Sequence, residues 1–484
     1  MSIESRNKVV ENFGKNVSAC PTEFLTPESE QQVLEFLRRH HGKKIRVISS
    51  GHAWSAGIQT DAVLMSMQNL KDIQVNETSS TVRVGAGCKI KDLLSELRKF
   101  GLTLPSIGLI DEQTLAGATA TGTHGSGKQS LSHFVTAVRV AHYDSQTGEP
   151  TVTRIDSGPE LQAARCSLGM LGVIVELEVQ VRKIYNIEEH VVKHKSLDDV
   201  VAAEKDSPLQ QFFLIPWSWQ WYGQHRAETD RPRTKLAGLY RVYWHLGIDW
   251  GLHLIITGLA RILKLGWPIR FFYRRILPLT LARNWRVVDD SHKMLVMEHE
   301  LFRHIEVELF VTRQDLQPAL TFVRQAMTVF GGVEFGNEKP SDDVMKKLAP
   351  HRGTYLHHYP ICIRRVLNDD TMISMACSYE STGSENELAN ENADHADRQD
   401  CYAISMISYH KPHDREGFVR FADFISEQLS QRFAARPHWG KYNSLPSSAN
   451  DRLYPRLDEF REIVKRFDAG GVFSNDWLDD AIGD

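Results

Sequence analysis

Two loops rich in glycine, serine and threonine most constrain how this chain can fold. The first reads RVISSGHAWSAGIQTD, residues 46–61, and the second reads QTLAGATATGTHGSG, residues 113–127. Each loop places small residues where the backbone must turn tightly and present its N–H groups. Two such loops can cradle a pyrophosphate with backbone N–H groups alone, without a lysine or a metal ion. The pair therefore predicts a site for a phosphate-bearing ligand.

The second loop runs into GTHGSGKQ, residues 122–129, which nearly matches the nucleotide-binding pattern G-x-x-x-x-G-K-[ST]. Gln129 stands where that pattern needs a hydroxyl for magnesium. A P-loop follows a buried strand and opens a helix. Here the preceding TLAGATAT does not resemble a buried strand, and the following residues resemble a strand more than a helix. We therefore do not expect ATP binding, and we interpret Lys128 as a solvated side chain.

Short runs of β-branched and aliphatic residues alternate with turns and helical patterns, which predicts an α+β protein. Strands are predicted at KIRVISS, AVLMSM, TVRVGAG, HFVTAVRVAHYD and GVIVELEVQVRK, and later over 304–311, 371–377 and 401–410. The apolar residues of 89–101 fall on one face of a predicted helix. The polar run 380–400 is typical of an exposed loop.

Composition excludes several classes of protein. The chain has 484 residues, of which 42% are hydrophobic and 24% charged, as in an ordinary globular protein. Its formal net charge of −4 gives no reason to expect nucleic acid. Six scattered cysteines without paired spacing favour a reducing compartment such as the cytoplasm. The first residues lack the apolar core of a secretory signal.

Residues 247–282 are unusually apolar and also basic. Their longest uncharged run lies between Asp249 and Arg261, too short for a span of about 20 residues. The remaining basic residues of the segment are Lys264, Arg270, Arg274 and Arg275. Two interpretations stay open: a cap helix or subunit contact, and a basic amphipathic segment that lies on a membrane surface.

The stretch HELFRH, residues 299–304, resembles the zinc motif H-E-x-x-H but places its second histidine one position too late. On a helix of about 3.6 residues per turn, the two rings lie roughly 140° apart. We expect this stretch to lead into the strand at 304–311, and we predict no metal site.

The two loops, together with ARPHWGK at 435–441 and YPRLDEFREIVKRFDAGGVFSN at 454–475, resemble the vanillyl-alcohol-oxidase-type flavoproteins, especially the sugar-lactone and alditol oxidases. The resemblance implies an FAD-binding domain of two subdomains over 1–182. It further implies an α+β substrate (cap) domain, with an antiparallel sheet and helices, over 183–430. Residues 431–484 would return to the active site.

The resemblance also implies FAD as the cofactor, attached covalently through the imidazole of His52. The residues implied to contact FAD are small or offer backbone N–H groups. In the first loop they are Ser49, Ser50, Gly51, Ala53 and Trp54; in the second, Gly117, Ala118, Thr119, Thr121, Gly122, His124 and Gly125; and in CSLGMLGVIVELEV, Gly169, Gly172 and Ile174.

Four residues stand at the positions that the resemblance implies to be catalytic, and three of them match the family. Lys441 matches a lysine that lies near the reacting hydroxyl in the family. His410 lies close to the position of the family's active-site histidine, which makes it the candidate base. Arg364 matches the arginine of a Glu-x-Arg motif. Here the motif reads Cys362-Ile363-Arg364, so the glutamate is missing. A thiol cannot form the paired hydrogen bonds of a carboxylate to vicinal hydroxyls.

The resemblance predicts oxidation of a CH–OH group by hydride transfer to flavin N5, with oxygen or another acceptor reoxidising the flavin. The expected substrate is a sugar lactone, an alditol or a related polyol. The missing glutamate and the apolar basic segment keep a second prediction open, a membrane-associated flavoenzyme acting on a lipid-linked sugar or another amphiphilic alcohol. A third is a flavin-binding protein without catalysis. An oligomer is compatible with all three.

Overall fold

The computed structural model describes residues 3–4, 9–259, 266–296, 303–335, 339–378 and 400–483. Lys264, the first residues of HELFRH and nearly all of the polar run 380–400 lie outside this part of the chain. The described residues form helices and mainly antiparallel sheets, so the α+β prediction is confirmed.

The N-terminal domain begins with a small sheet in which three strands run parallel. Its strands are Glu23–Leu25, Ile45–Ile48 and Val63–Ser66, with Ile3–Glu4 added antiparallel at one edge. Helix Glu30–Arg39 connects Glu23–Leu25 to Ile45–Ile48, and strand Val63–Ser66 lies between these two and pairs with both. The predicted strands KIRVISS and AVLMSM are confirmed.

The second part of this domain is a five-stranded antiparallel sheet. Its strands, in spatial order, are Pro150–Ile155, Val135–Tyr143, Val173–Gln180, Thr81–Gly85 and Ile73–Asn76. Helices Ile90–Lys99, Leu115–Ala120 and Gly158–Arg165 belong to the same domain. The predicted helix over 89–101 is confirmed, and its apolar face is buried.

A central sheet of eight strands follows. In spatial order its strands are Val287–Asp290, Asn186–His194, Gln220–Thr229, Gln211–Ile215, Ile361–Val366, Cys401–Ser408, Ile305–Thr312 and Arg436–Pro437. Helices Arg313–Phe330 and Glu416–Phe433 share an apolar core with one face of this sheet. Successive side chains of a strand point to opposite faces, so the other face turns toward the N-terminal domain.

The predicted strand over 371–377 is wrong. The Asp369 carboxylate accepts hydrogen bonds from the Thr371 N–H, the Thr371 hydroxyl and the Ser374 hydroxyl, which folds this stretch into turns. Such local bonds compete with a sheet ladder.

The C-terminal helices return to the N-terminal domain. They are Ser447–Leu453, Leu457–Phe467 and Asp476–Ile482, and their apolar residues belong to the core of that domain. The buried Arg46 joins the two parts, because its guanidinium donates to the carbonyls of Gly57, Leu168 and Phe473.

Two helical segments connect strand Gln220–Thr229 to strand Val287–Asp290. The first is one continuous helical path made of Ala237–Tyr243, Trp244–Leu252 and His253–Thr257; the second comprises Gly266–Phe271, Phe272–Ile276 and Leu277–Thr280. No helix among the described residues is both long and apolar enough to cross a membrane. The shorter helices are Leu197–Ala202, Ser291–Met294 and Asp342–Leu348.

Gly127, the last glycine of the second loop, lies against the backbone at Pro208, which leaves no room for a side chain. A Cβ at this position would lie 1.8 Å from the Pro208 carbonyl oxygen, and its φ is +71°. We expect Gly127→Ala to lower the free energy of unfolding by about 3 kcal/mol, read as a lower thermal midpoint. Gly238→Ala is the control, since open space surrounds Gly238 in its helix. Equal midpoints for the two variants would contradict this packing.

Candidate active site

A large cavity lies where the N-terminal loops meet the central sheet. It holds about 1570 Å³ of unfilled space, its open mouth included. The loop after strand Ile45–Ile48, helix Leu115–Ala120 and the turn at 168–174 line one side. The central sheet and residues 438–441 line the other. Residues from the N-terminal domain and from the central sheet therefore line one shared cavity.

The first glycine-rich loop lies along the cavity. Ser49, Ser50, Gly51, His52, Ala53 and Trp54 all line it. Gly51 has a φ of +68°, which glycine adopts at little cost. The Ser50 hydroxyl accepts a hydrogen bond from the Thr114 N–H, which ties the first loop to the second. The two loops therefore meet at one site, as the sequence predicts.

The second loop contributes helix Leu115–Ala120 and the turn behind it. Gly117, Ala118, Thr121 and His124 line the cavity, and so do Gly169, Gly172 and Ile174 from the third segment. Thr119, Gly122 and Gly125 lie behind this lining. The Thr119 hydroxyl donates back to helix carbonyls, and a Cβ on Gly125 would lie 2.6 Å from the Ile107 carbonyl oxygen. These three shape the loop and lie outside the cavity wall.

The face of the central sheet toward the cavity is polar although it is buried. On strand Ile305–Thr312, Val307 and Leu309 pack into the helical core, whereas Glu306 and Glu308 line the cavity. Arg364, on strand Ile361–Val366 two positions away in the sheet, lines the cavity as well. Buried charges are costly unless they are paired, so their presence here indicates a functional site. We call Glu306, Glu308 and Arg364, with the residues beside them on this face of the sheet, the polar floor.

Glu306 and Lys441 form an ion pair at the cavity wall. The Lys441 Nζ donates to the Glu306 carboxylate at 2.5 Å, and the Ser405 hydroxyl donates to its other oxygen. The ammonium also lies 4.6 Å from the centre of the Trp54 ring. Lys441 is thereby fixed beside the first loop, where a positive charge can act on a bound ligand.

Glu308, His124 and His438 form a second buried group. The His124 Nδ1 bonds the Gly125 carbonyl, so its Nε2, 3.6 Å from Glu308, can donate to the carboxylate only when the ring carries two protons. Burial raises the pKa of Glu308, but the positive charges of His124, Lys441 and Arg364 outweigh burial and hold that pKa well below its usual range. Burial lowers the pKa of His438. Glu308 is thus an anion whose buried Oε1 accepts no hydrogen bond from the described residues.

This group also has the spacing of a metal site. One ligand atom from each of His124, Glu308 and His438 lies within 4.8 Å of the others. However, Arg364 and Lys441 lie close enough to depress the pKa of Glu308. A divalent cation would be repelled by these two charges, so we interpret the group as a charge network.

Two of the four predicted catalytic residues do not line the cavity. Cys362 is buried in the sheet and its thiol lies 3.8 Å from the Gln211 amide oxygen. Tyr409 lines the cavity, and the next residue, His410, lies on the opposite side, 4.6 Å from the His358 ring. The proposed role of His410 as the base therefore does not fit its position. Sequence reasoning also missed Glu306, Glu308, Tyr409 and His438, although alternation along IEVELFVT places both carboxylates on one face.

His410→Asn should leave catalysis almost intact. Because the side chain lies behind the cavity wall, we expect kcat to change less than about threefold, whereas loss of a general base costs about 10²–10⁴-fold. Steady-state oxidation by the variant, corrected for its FAD content, checks this. A hundredfold loss with full FAD content would restore His410 as the base.

Comparison with known proteins identifies the family. A family model described as FAD binding domain matches residues 21–148, and one described as D-arabinono-1,4-lactone oxidase matches residues 258–481. The chain is 46% identical over 474 residues to a long-chain alcohol oxidase from an uncultured marine euryarchaeote, covering 96% of this chain and 95% of the relative. The chain belongs to the vanillyl-alcohol-oxidase-type flavoproteins. It is an FAD-dependent oxidoreductase that acts on CH–OH groups.

More distant relatives of this flavoenzyme include L-gulonolactone oxidase of Bos taurus, 23% identical over 482 residues and covering 97% of each chain. L-gulono-1,4-lactone dehydrogenase of Mycobacterium tuberculosis is 24% identical over 481 residues, covering 97% of this chain and 98% of the relative. Among solved structures, cholesterol oxidase from Brevibacterium sterolicum shares the fold, with a TM-score of 0.72 at 14% identity, covering 98% of this chain and 96% of that one.

The residues that line the cavity suit FAD, independently of the similarity to known proteins. Its glycine and alanine lining permits close approach of a backbone to a planar ring, and the loop N–H groups suit a pyrophosphate. His52 stacks on Phe13 at 5.2 Å, and its buried Nδ1 has no hydrogen-bond partner among the described residues. Burial, the largest effect, lowers the pKa of His52 to about 4, so the ring is neutral near pH 7. A neutral imidazole nitrogen is the form that can bond to carbon.

Proposed function

We propose that this flavoenzyme is an oxidase of long-chain alcohols, with oxygen as the electron acceptor. The observation that carries the proposal is the 46% identity, along almost the whole chain, to a long-chain alcohol oxidase, against 23–24% to the gulonolactone enzymes. We further propose that residues 1–182 and 431–484 hold FAD, attached through His52, and that residues 183–430 hold the substrate.

The substrate side of the cavity supports an apolar chain. Cys362 stands where the resemblance places a glutamate that holds vicinal hydroxyls, so that carboxylate is missing from this chain. Ile407 and Tyr409 line the cavity and belong to an apolar cluster that extends away from it. A polyol would leave its hydroxyls unpaired against such a surface, whereas an alkyl chain gains from burial there.

The polar floor then positions the reacting hydroxyl. FAD, when bound, supplies the acceptor for the hydride from the carbinol carbon. Arg364 and Lys441 place positive charge where the alcohol oxygen becomes electron-rich. The Glu308 Oε1, which accepts no hydrogen bond from the described residues, is available to the hydroxyl proton. The proton passes to Glu308 as the hydride leaves the carbinol carbon, so the alcohol oxygen carries alkoxide character that the two positive charges stabilise.

A sugar lactone is the second candidate substrate. The D-arabinono-1,4-lactone oxidase model matches residues 258–481, and Arg364 is retained at the position implied for substrate binding. The two candidate substrates predict different dependences of kcat/KM on the length of the substrate's apolar chain.

The proposal predicts that kcat/KM rises with alcohol chain length. Each methylene buried in the apolar cluster stabilises the bound state by about 0.8 kcal/mol, or roughly fourfold in kcat/KM, until the cluster is filled. Oxygen consumption with the alcohols from butanol to dodecanol, beside gulonolactone and sorbitol, measures this. A flat series with faster oxidation of gulonolactone would favour the lactone.

A further inference from the structure

Exposed apolar side chains are concentrated on the surface of one segment of the chain. Of the thirteen large hydrophobic side chains exposed among the described residues, eleven lie between Leu236 and Leu279. We call this surface the outer face. Its members are Leu236, Leu239, Val242, Leu246, Trp250, Leu254, Ile255, Trp267, Phe271, Ile276 and Leu279. A surface patch of this kind in a globular protein marks an interaction site.

Helical periodicity separates the outer face from the core. Leu239, Val242 and Leu246 recur three and four residues apart along the helical path that starts at Ala237, and they form one solvent-exposed stripe. The opposite side of the same path is buried through residues such as Tyr240 and Ile256. The exposed stripe is therefore additional to the side that packs on the protein.

The charge around the outer face is strongly positive. Residues 231–286 contain eleven lysines and arginines and one aspartate, a net charge of +10, so the rest of the chain carries −14. Four of the arginines pair with carboxylates of the central sheet. Arg270, Arg274 and Arg275 have no carboxylate within ion-pair distance in the described part of the chain, and they lie among the exposed apolar residues.

We propose that the outer face lies on the surface of an anionic lipid bilayer. Helices that expose an apolar stripe flanked by arginines insert that stripe at the boundary between headgroups and acyl chains, and anionic lipid strengthens their binding. No described helix can cross the bilayer, so the contact is peripheral. A protein partner would need both a broad apolar surface and carboxylates placed opposite these arginines. A bilayer with anionic headgroups meets both requirements without a specific geometry.

The outer face lies over the substrate end of the cavity. His253, on the buried side of the first helical segment, contacts Tyr409 at 5.2 Å between ring centres, and Tyr409 lines the cavity. Residues beneath both helical segments, including Ile256 and Phe272, join Tyr409 in one apolar cluster. A long-chain alcohol dissolved in the membrane would thus reach the polar floor through apolar contacts. This entry route rests on the proposed function.

Vesicle flotation of the full-length holoenzyme tests the membrane contact without substrate. Wild-type protein should float with vesicles of phosphatidylcholine and phosphatidylglycerol and much less with phosphatidylcholine alone. The triple variant Leu246→Glu, Trp267→Glu, Leu279→Glu should lose binding by more than about tenfold, because exposed apolar residues become anionic. Arg270→Gln with Arg275→Gln should lose on the order of tenfold. Phe100→Glu, an equally drastic change at an exposed residue of the N-terminal domain, should bind normally.

Two results would overturn the inference. One is wild-type protein that does not float with anionic vesicles. The other is a wild-type dimer in size-exclusion chromatography that the triple variant converts to a monomer, since a second copy would then cover the outer face. The triple variant should keep wild-type turnover of a water-soluble alcohol in the absence of vesicles. Failure of the proposed function would appear as absent alcohol oxidation with vesicle binding intact, so the two failures are distinguishable.

Discussion

His52→Ala should release all of the flavin from the polypeptide. After acid precipitation, we expect the wild-type pellet to retain the yellow flavin and the variant pellet to be colourless, with FAD in the supernatant. The physical reason is that His52 lines the cavity as a neutral imidazole with an unpaired nitrogen. The variant should still fold, because the side chain contacts mainly the Phe13 ring.

His124→Ala provides the matched control for that experiment. His124 is the other histidine beside a glycine in these loops, and it also lines the cavity. Its Nδ1 bonds the Gly125 carbonyl and its Nε2 faces Glu308. We therefore expect covalent flavin to persist in this variant. Covalent flavin in His52→Ala, or its loss only in His124→Ala, would contradict the assignment.

Glu308→Gln should lower kcat by about 10²–10⁴-fold while FAD remains bound. The amide has the shape of the carboxylate but cannot take a proton, and it leaves the charge of Arg364 less compensated. The rate of flavin reduction by decanol under anaerobic conditions measures the effect on the oxidation of the alcohol itself, apart from reoxidation by oxygen. Glu308→Asp keeps the charge and should lose less activity.

Loss of a buried charge can also destabilise the fold, so a structural control is needed. Glu204 is also buried, its carboxylate accepts a hydrogen bond from the Tyr402 hydroxyl, and neither residue lines the cavity. Glu204→Gln should lower the thermal midpoint but keep kcat per bound FAD. If the two variants lose kcat equally, or if Glu308→Gln keeps wild-type kcat, Glu308 is not the proton acceptor.

Helices and loops that depend on residues close together in the sequence could be predicted from it. The helix over 89–101 follows from apolar spacing, and the two loops follow from local runs of small residues. The rejection of a P-loop also agrees with the structure, because GTHGSGKQ follows a short helix and leads toward strand Val135–Tyr143. Lys128, expected to be solvated, is partly exposed and also pairs with Glu228 at 3.1 Å. Local pattern cannot reveal this contact, because Glu228 lies on a strand distant in the sequence.

The polar floor was only partly predictable, because it is assembled from distant strands. Glu308, Ser405 and Cys362 face each other through strand register alone. Alternation along strand Cys401–Ser408 places Ser405 and Ile407 on the same side. His410 lies beyond the end of that strand, so neither this alternation nor its spacing along the chain could fix its position.

Anaerobic mixing of the holoenzyme with decanol tests the central claim most directly. The account predicts rapid bleaching of the oxidised flavin band by decanol, slower bleaching by butanol, and little or none by gulonolactone. Admitting oxygen should then restore the band. Bleaching by gulonolactone with none by decanol would contradict the account.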